Sequence, residues 1–181
     1  MNLNVSYNQQ QVSPNFGMAV KIKPKAQPFL EMLPMEERQY IRDLGNKIKK
    51  SRNHIHIGEG GKVYNSYEPK ASEIRIVNPE NRAEVDAERK AEAKRLKSMV
   101  TKEDRKENLK QDAKTLWNIV KIKLNPRKSK FMKDIQVAEQ IQASCDRADA
   151  FDGVLRTRLA QRDAAAKADT KKLISQFGEK E

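Results

Sequence analysis

The chain reads as an α+β protein, predominantly helical, with a small strand-helix-three-strand head followed by a long-helix arm or bundle. Three observations point there. Residues 16–78 hold the short alternating segments and the turn glycines, which is strand and hairpin chemistry. Residues 79–177 are rich in Ala, Glu, Lys and Arg, with apolar residues recurring at three and four. Charged residues make up 34% and aromatics 6% of the 181, so little apolar surface exists to close one large core.

Residues 1–15 are polar, dominated by Asn and Gln, and carry no core-forming pattern; they read as a mobile leader. In "FGMAVKIK", Phe16, Met18, Val20 and Ile22 alternate with residues that include Lys21 and Lys23, so a half-buried strand is expected up to Pro24. Phe29, Leu30 and Leu33 suggest a short helical turn. A helix from about 34 to 50 follows, with Pro34 at its start and Tyr40, Ile41, Leu44 and Ile48 on one face. Three strand candidates come next, at 54–57, 62–67 and 73–77, the first two flanking "GEGG".

"NHIHIGEGGKVYNSY" is the stretch that most resembles chemistry. His54 and His56 are two apart, which on a strand aims both imidazoles at one face, a spacing metal sites use. They are the only histidines in the chain, so a third ligand would have to be a carboxylate such as Glu59 or Glu68. The glycines permit a phosphate cradle, but such loops run from a strand straight into a helix. Here a strand pattern follows, which favours a hairpin.

Beyond residue 78 three helices are expected, at about 79–100, 101–124 and 129–177, with a short tail at 178–181. Asn78-Pro79 suits a helix start. Thr101 with Asp104 three residues on has the form of a capping box, with Leu109, Ala113, Leu116, Trp117 and Val120 forming that helix's apolar face. Asn125-Pro126 ends it and Ser129 is placed to cap the next. The last helix carries Phe131, Ile135, Ala138, Ile141, Cys145, Ala148, Phe151, Leu155 and Leu159 at spacings of three or four. That stripe predicts a helix-helix contact, within the chain or between copies, for which Phe131, Ile135, Ile141, Leu155 and Leu159 are the candidate residues.

The formal net charge is +12, and it is unevenly placed. Residues 94–130 hold 13 basic against 4 acidic side chains, whereas residues 131–181 hold 9 of each. A polyanion, whether nucleic acid or an acidic protein, would therefore meet Lys114, Lys121, Lys123, Arg127, Lys128 and Lys130 around the Pro126 turn. Trp117 and Phe131 flank that turn, either as stacking aromatics or as core residues.

Several function classes recede. One cysteine, Cys145, excludes an intrachain disulfide and suits a reducing, cytoplasmic setting. No signal-peptide pattern, membrane-span-length apolar run or Ser/His/Asp order is present. No catalytic residue and no cofactor is implied. The expectation is a non-enzymatic interaction protein. The alternatives from other classes are a metal-dependent hydrolase using His54 and His56, and a phage or cell-envelope structural component.

The opening "SPNFGMAVKI", with the strand and the "FLEMLP" helix after it, resembles a loosely defined group of uncharacterised bacterial proteins with an N-terminal Asn-Phe-Gly-Met element behind a polar leader. The likeness spans residues 15–57. It implies a bacterial or phage origin and transfers no activity.

Overall fold

The structure, a computed structural model, describes residues 19–67 and 81–178. The leader, Phe16 and Met18 of the first strand pattern, the Asn-Phe-Gly-Met element, the strand expected at 73–77, the Asn78-Pro79 helix start and the last residues of the tail lie outside the described residues.

The protein is α+β and mainly helical, with a strand-bearing head and a long C-terminal helix. The order is β1 (Val20–Ile22), α1 (Gln27–Met32), α2 (Met35–Lys47), β2 (Asn53–Ile57), β3 (Val63–Tyr67), α3 (Arg82–Lys97), α4 (Lys102–Leu124) and α5 (Lys130–Gly178). By their internal contacts the described residues form two compact units, one of residues 19–67 and 115–146, the other of 81–114 and 147–178. The head thus recruits a helical segment from the region expected to be a separate arm.

In the first unit the sheet runs β1-β2-β3. β1 and β2 are parallel, with Val20 opposite Ile55 and Ile22 opposite Ile57, as the intervening α1 and α2 crossover permits. β2 and β3 are antiparallel, with Ile57 opposite Val63 and Asn53 opposite Tyr67. Alternation puts Val20, Ile22, Ile55 and Ile57 into the core, where they join Leu30 of α1, Ile41 and Leu44 of α2, and Phe131, Ile135 and Ala138 of α5. The expected helix face of α2 and the first two turns of the α5 stripe therefore meet in one core. Phe29 stands edge-on to Phe131 at 5.0 Å between centroids.

A polar seam holds α5 in this unit. The Tyr40 hydroxyl donates to Glu139 at 2.5 Å and Lys47 Nζ lies 2.7 Å from the same carboxylate. Asp146 Oδ1 accepts from Ser51 Oγ at 2.6 Å and from Asn53 Nδ2 at 2.7 Å, while Gln142 donates to its other oxygen. Asn65 Nδ2 donates to the Ala138 carbonyl at 2.9 Å. Burial, then the Glu139 carboxylate, raises the Tyr40 phenol well above its ordinary value.

The "GEGG" segment is the turn of a hairpin. Gly60 and Gly61 have φ of 64° and 77°, where a side chain is strained. A Cβ on Gly61 would also lie 2.4 Å from the Phe29 ring.

The second unit has a thin core. Leu96 and Leu155 are its buried large apolar side chains among the described residues. Ion pairs supplement them: Arg95 with Asp163 at 2.5 Å, Arg156 with Glu92 and Asp152, and Arg158 with Asp104 at 2.5 Å. The capping box is present in both directions, with the Asp104 amide donating to Thr101 Oγ1 at 3.1 Å and the Thr101 amide to Asp104 Oδ2 at 2.9 Å. Hydrogen bonds from Arg158 and from the Thr101 amide hold the Asp104 carboxyl down at about 2.

Candidate partner-binding surface

Pro126 cannot continue α4, and Asn125 turns the chain by accepting the Arg127 amide on Oδ1 at 2.9 Å. Ser129 then caps α5, accepting the Met132 amide at 3.1 Å, as its position in the sequence suggests. Between residues 115 and 133 the chain carries six basic side chains and no acidic one: Lys121, Lys123, Arg127, Lys128, Lys130 and Lys133.

Lys121, Lys123, Arg127 and Lys130 are exposed, and Lys128 is half-buried, donating to the neutral Gln136 Oε1 at 2.6 Å. Lys121 Nζ lies 5.3 Å from the centroid of the Trp117 ring, a cation-π contact. Among the described residues no carboxylate pairs with these five cations. The contrast is with Lys47, Arg95, Arg156 and Arg158, each of which faces an acid. Lys114, also exposed, precedes this segment on α4 and belongs to the second unit.

The two aromatics flanking the turn have opposite fates. Phe131 is 8% exposed and belongs to the core of the head, whereas Trp117 is 58% exposed. The apolar face expected for α4 is in fact its outer one: Leu116, Trp117 and Val120 are exposed, as are Leu109 and Ala113 further up the helix, and Leu124 on the same side is exposed too. The half-buried side is formed by Thr115, Asn118, Ile119 and Ile122. At 100° per residue this side lies opposite the outer stripe, so both sides carry aliphatic residues and the periodicity alone does not say which packs inward.

The helix-helix candidates on α5 also divide. Phe131 and Ile135 are buried in the first unit and Leu155 in the second, Leu159 is half-buried, and Ile141 is exposed. Cys145 is a half-buried free thiol.

His54 and His56 project from β2 on the side away from Ile55. Their ring centroids are 6.4 Å apart. His54 is buried; His56 stacks on Tyr64 at 4.8 Å and contacts Ser66 Oγ through Nε2 at 2.6 Å. Among the described residues no group of three or more His, Cys, Asp or Glu side chains is placed to hold a metal ion. A cavity of about 170 Å³ beside α2, lined by Ile22, Leu30, Ile41, Arg38 and Arg42 with Gln27 and Glu31, is smaller than the roughly 300 Å³ at which small-molecule pockets begin. No helix among the described residues is long and apolar enough to cross a membrane.

Comparison of the chain with protein-family models, with curated proteins and with solved structures gives no match.

Proposed function

We propose that this is a non-enzymatic interaction protein of the cytoplasm whose basic turn between α4 and α5 binds a negatively charged macromolecule, a nucleic acid or an acidic protein. The observation that supports the reading is the set of five cations, Lys121, Lys123, Arg127, Lys128 and Lys130, gathered at one turn with no carboxylate among the described residues in ion-pair contact with them; Glu37, which reaches the turn, accepts a hydrogen bond from Ser129 Oγ at 2.8 Å instead. Uncompensated like charges repel one another, so a bound polyanion is favoured twice over, by direct attraction and by relief of that repulsion.

The test is binding of a 20-nucleotide single-stranded DNA and of polyglutamate at 50 and 200 mM salt. If Lys121, Lys123, Arg127 and Lys128 each neutralise one phosphate, DNA affinity falls roughly 50-fold over that range. Charge reversal of those four to Glu abolishes binding of both probes. Binding that does not vary with salt, or that survives the reversal, rejects this role for the turn.

A further inference from the structure

The outer face of α4 holds something a phosphate backbone does not use. Leu116 is 64%, Trp117 58%, Val120 43% and Leu124 75% exposed, within two and a half turns of helix. At 100° per residue the four fall in an arc of about 100°, with Lys121 on one border and Lys123 on the other. A contiguous apolar stripe left in water is the mark of a contact surface. Leucine and valine offer nothing to phosphates, so nucleic acid accounts for the lysines, and for Trp117 if a base stacks on it, but leaves the aliphatic stripe of Leu116, Val120 and Leu124 idle. A second copy offering its own α4 accounts for the stripe but sets Lys121 and Lys123 against a lysine-rich helix.

An occupant that satisfies both is a helix with its own leucine stripe bordered by carboxylates. We infer that the face Leu116, Trp117, Val120 and Leu124 docks an amphipathic helix of a partner protein, with acidic residues of that helix meeting Lys121 and Lys123. The mode is helix against helix, aliphatic side chains interdigitating along the seam and opposite charges setting register at its edges, as at the flanking positions of a coiled coil. Trp117 is the large anchor, of the type that dominates such contacts. This inference rests on reading the basic turn as a site for an acidic partner, and it selects protein over nucleic acid.

Trp117 is the sole tryptophan of the chain, so its emission reports directly on the face. The 181-residue chain is titrated with an 18-residue peptide carrying Leu on one helical face and Glu along both borders. Companion probes are the same peptide with Ser for Leu, the same with Lys for Glu, the 20-nucleotide DNA, and phosphatidylcholine vesicles containing one-third phosphatidylserine. The Leu/Glu peptide is expected to shift Trp117 emission to the blue, and each altered peptide to bind at least tenfold more weakly. A Leu116→Ser/Leu124→Ser double variant loses at least tenfold in affinity while its melting temperature falls by only a few degrees, since both side chains are mostly in water and the change costs little beyond helix propensity. A Lys121→Glu/Lys123→Glu variant exchanges its preference for the Leu/Lys peptide.

Failure of the Leu/Glu peptide to bind overturns the inference. So does equal binding of the Ser-for-Leu peptide, or tighter binding of DNA or vesicles with the same blue shift. The two levels separate cleanly. If DNA and polyglutamate bind in a salt-dependent way and the leucines make no difference, the polyanion reading stands and helix docking falls; if no acidic probe binds, both fall.

Discussion

Truncating the two aromatics that flank the basic turn separates core from surface. Phe131 is buried against Phe29 and lies in the cluster with Ile135 and Ala138. Withdrawing roughly 150 to 200 Å² of phenyl surface from water at about 25 cal/mol/Å² is worth about 4 to 5 kcal/mol as an upper limit. Large-to-small substitutions of this kind cost about 3 to 5 kcal/mol. Phe131→Ala is therefore expected to destabilise the head by about 3 to 4 kcal/mol, a large fraction of what a domain of this size possesses. Trp117, more than half exposed and touched by Lys121, has little to lose: Trp117→Ala is expected to stay within about 0.5 kcal/mol of the parent. The assay is urea unfolding followed by far-UV circular dichroism, because one variant lacks the fluorophore. Comparable destabilisation by the two variants would refute the reasoning, since it would mean that Trp117 is packed in the folded state.

Three further outcomes are expected. Gly61→Ala is destabilising by about 2 kcal/mol or more, because the new Cβ meets the Phe29 ring in addition to the positive φ; Gly60→Ala, with no atom within 4 Å, carries only the backbone cost of about 1 kcal/mol. Thermal melts showing the two equal would remove the Phe29 contact from the account. The Asp104 carboxyl titrates at about 2 in an NMR pH series, below its unfolded value of 3.8. Because the folded value is depressed, the stabilisation is fully present above the unfolded value and is lost as pH falls toward 2; Asp104→Asn removes that pH dependence, and a midpoint near 4 in the parent would contradict the Arg158 contact. The Tyr40 phenol is raised, so the neutral hydroxyl is the form the fold favours, and its contribution is intact below pH 10 and lost as pH rises from there. Tyr40→Phe is expected to cost about 1.5 to 3 kcal/mol, as for a hydrogen bond to a charged acceptor, and an ultraviolet titration in which all tyrosines ionise near pH 10 would count against it.

Local chemistry is enough for most of the elements. The Thr101/Asp104 capping box, Ser129 as a helix cap, the Pro126 break and the glycine turn each act within four residues of chain, so adjacent side chains decide them. The hairpin reading of "NHIHIGEGGKVYNSY" is of the same kind: the glycines take the positive φ that the turn requires, and a strand follows. The parallel pairing of β1 with β2 was not legible in this way. It joins residues more than thirty positions apart and leaves no local trace in either strand.

The basic turn itself was visible in the charge count, but the separation of Phe131 from Trp117 was not. Both are aromatic residues near the same proline, and nothing in their neighbours distinguishes an inward ring from an outward one. The same holds for α4, whose aliphatic residues occupy two opposite sides. Leu109, Ala113, Leu116, Trp117 and Val120 make the longer stripe, yet Ile119 and Ile122 are on the side that packs.

Composition, turn chemistry and periodicity were sufficient to establish a mainly helical α+β chain with a strand-bearing head and a long last helix, and the position of its charge. Which apolar faces are covered, that the first turns of α5 complete the core of the head, and that the stripe of α4 is exposed beside lysines with no ion-pair partner among the described residues were settled only by packing. Periodicity says which side chains share a face; what that face meets depends on residues distant in the chain, and burial free energy is decided where those distant surfaces close on one another.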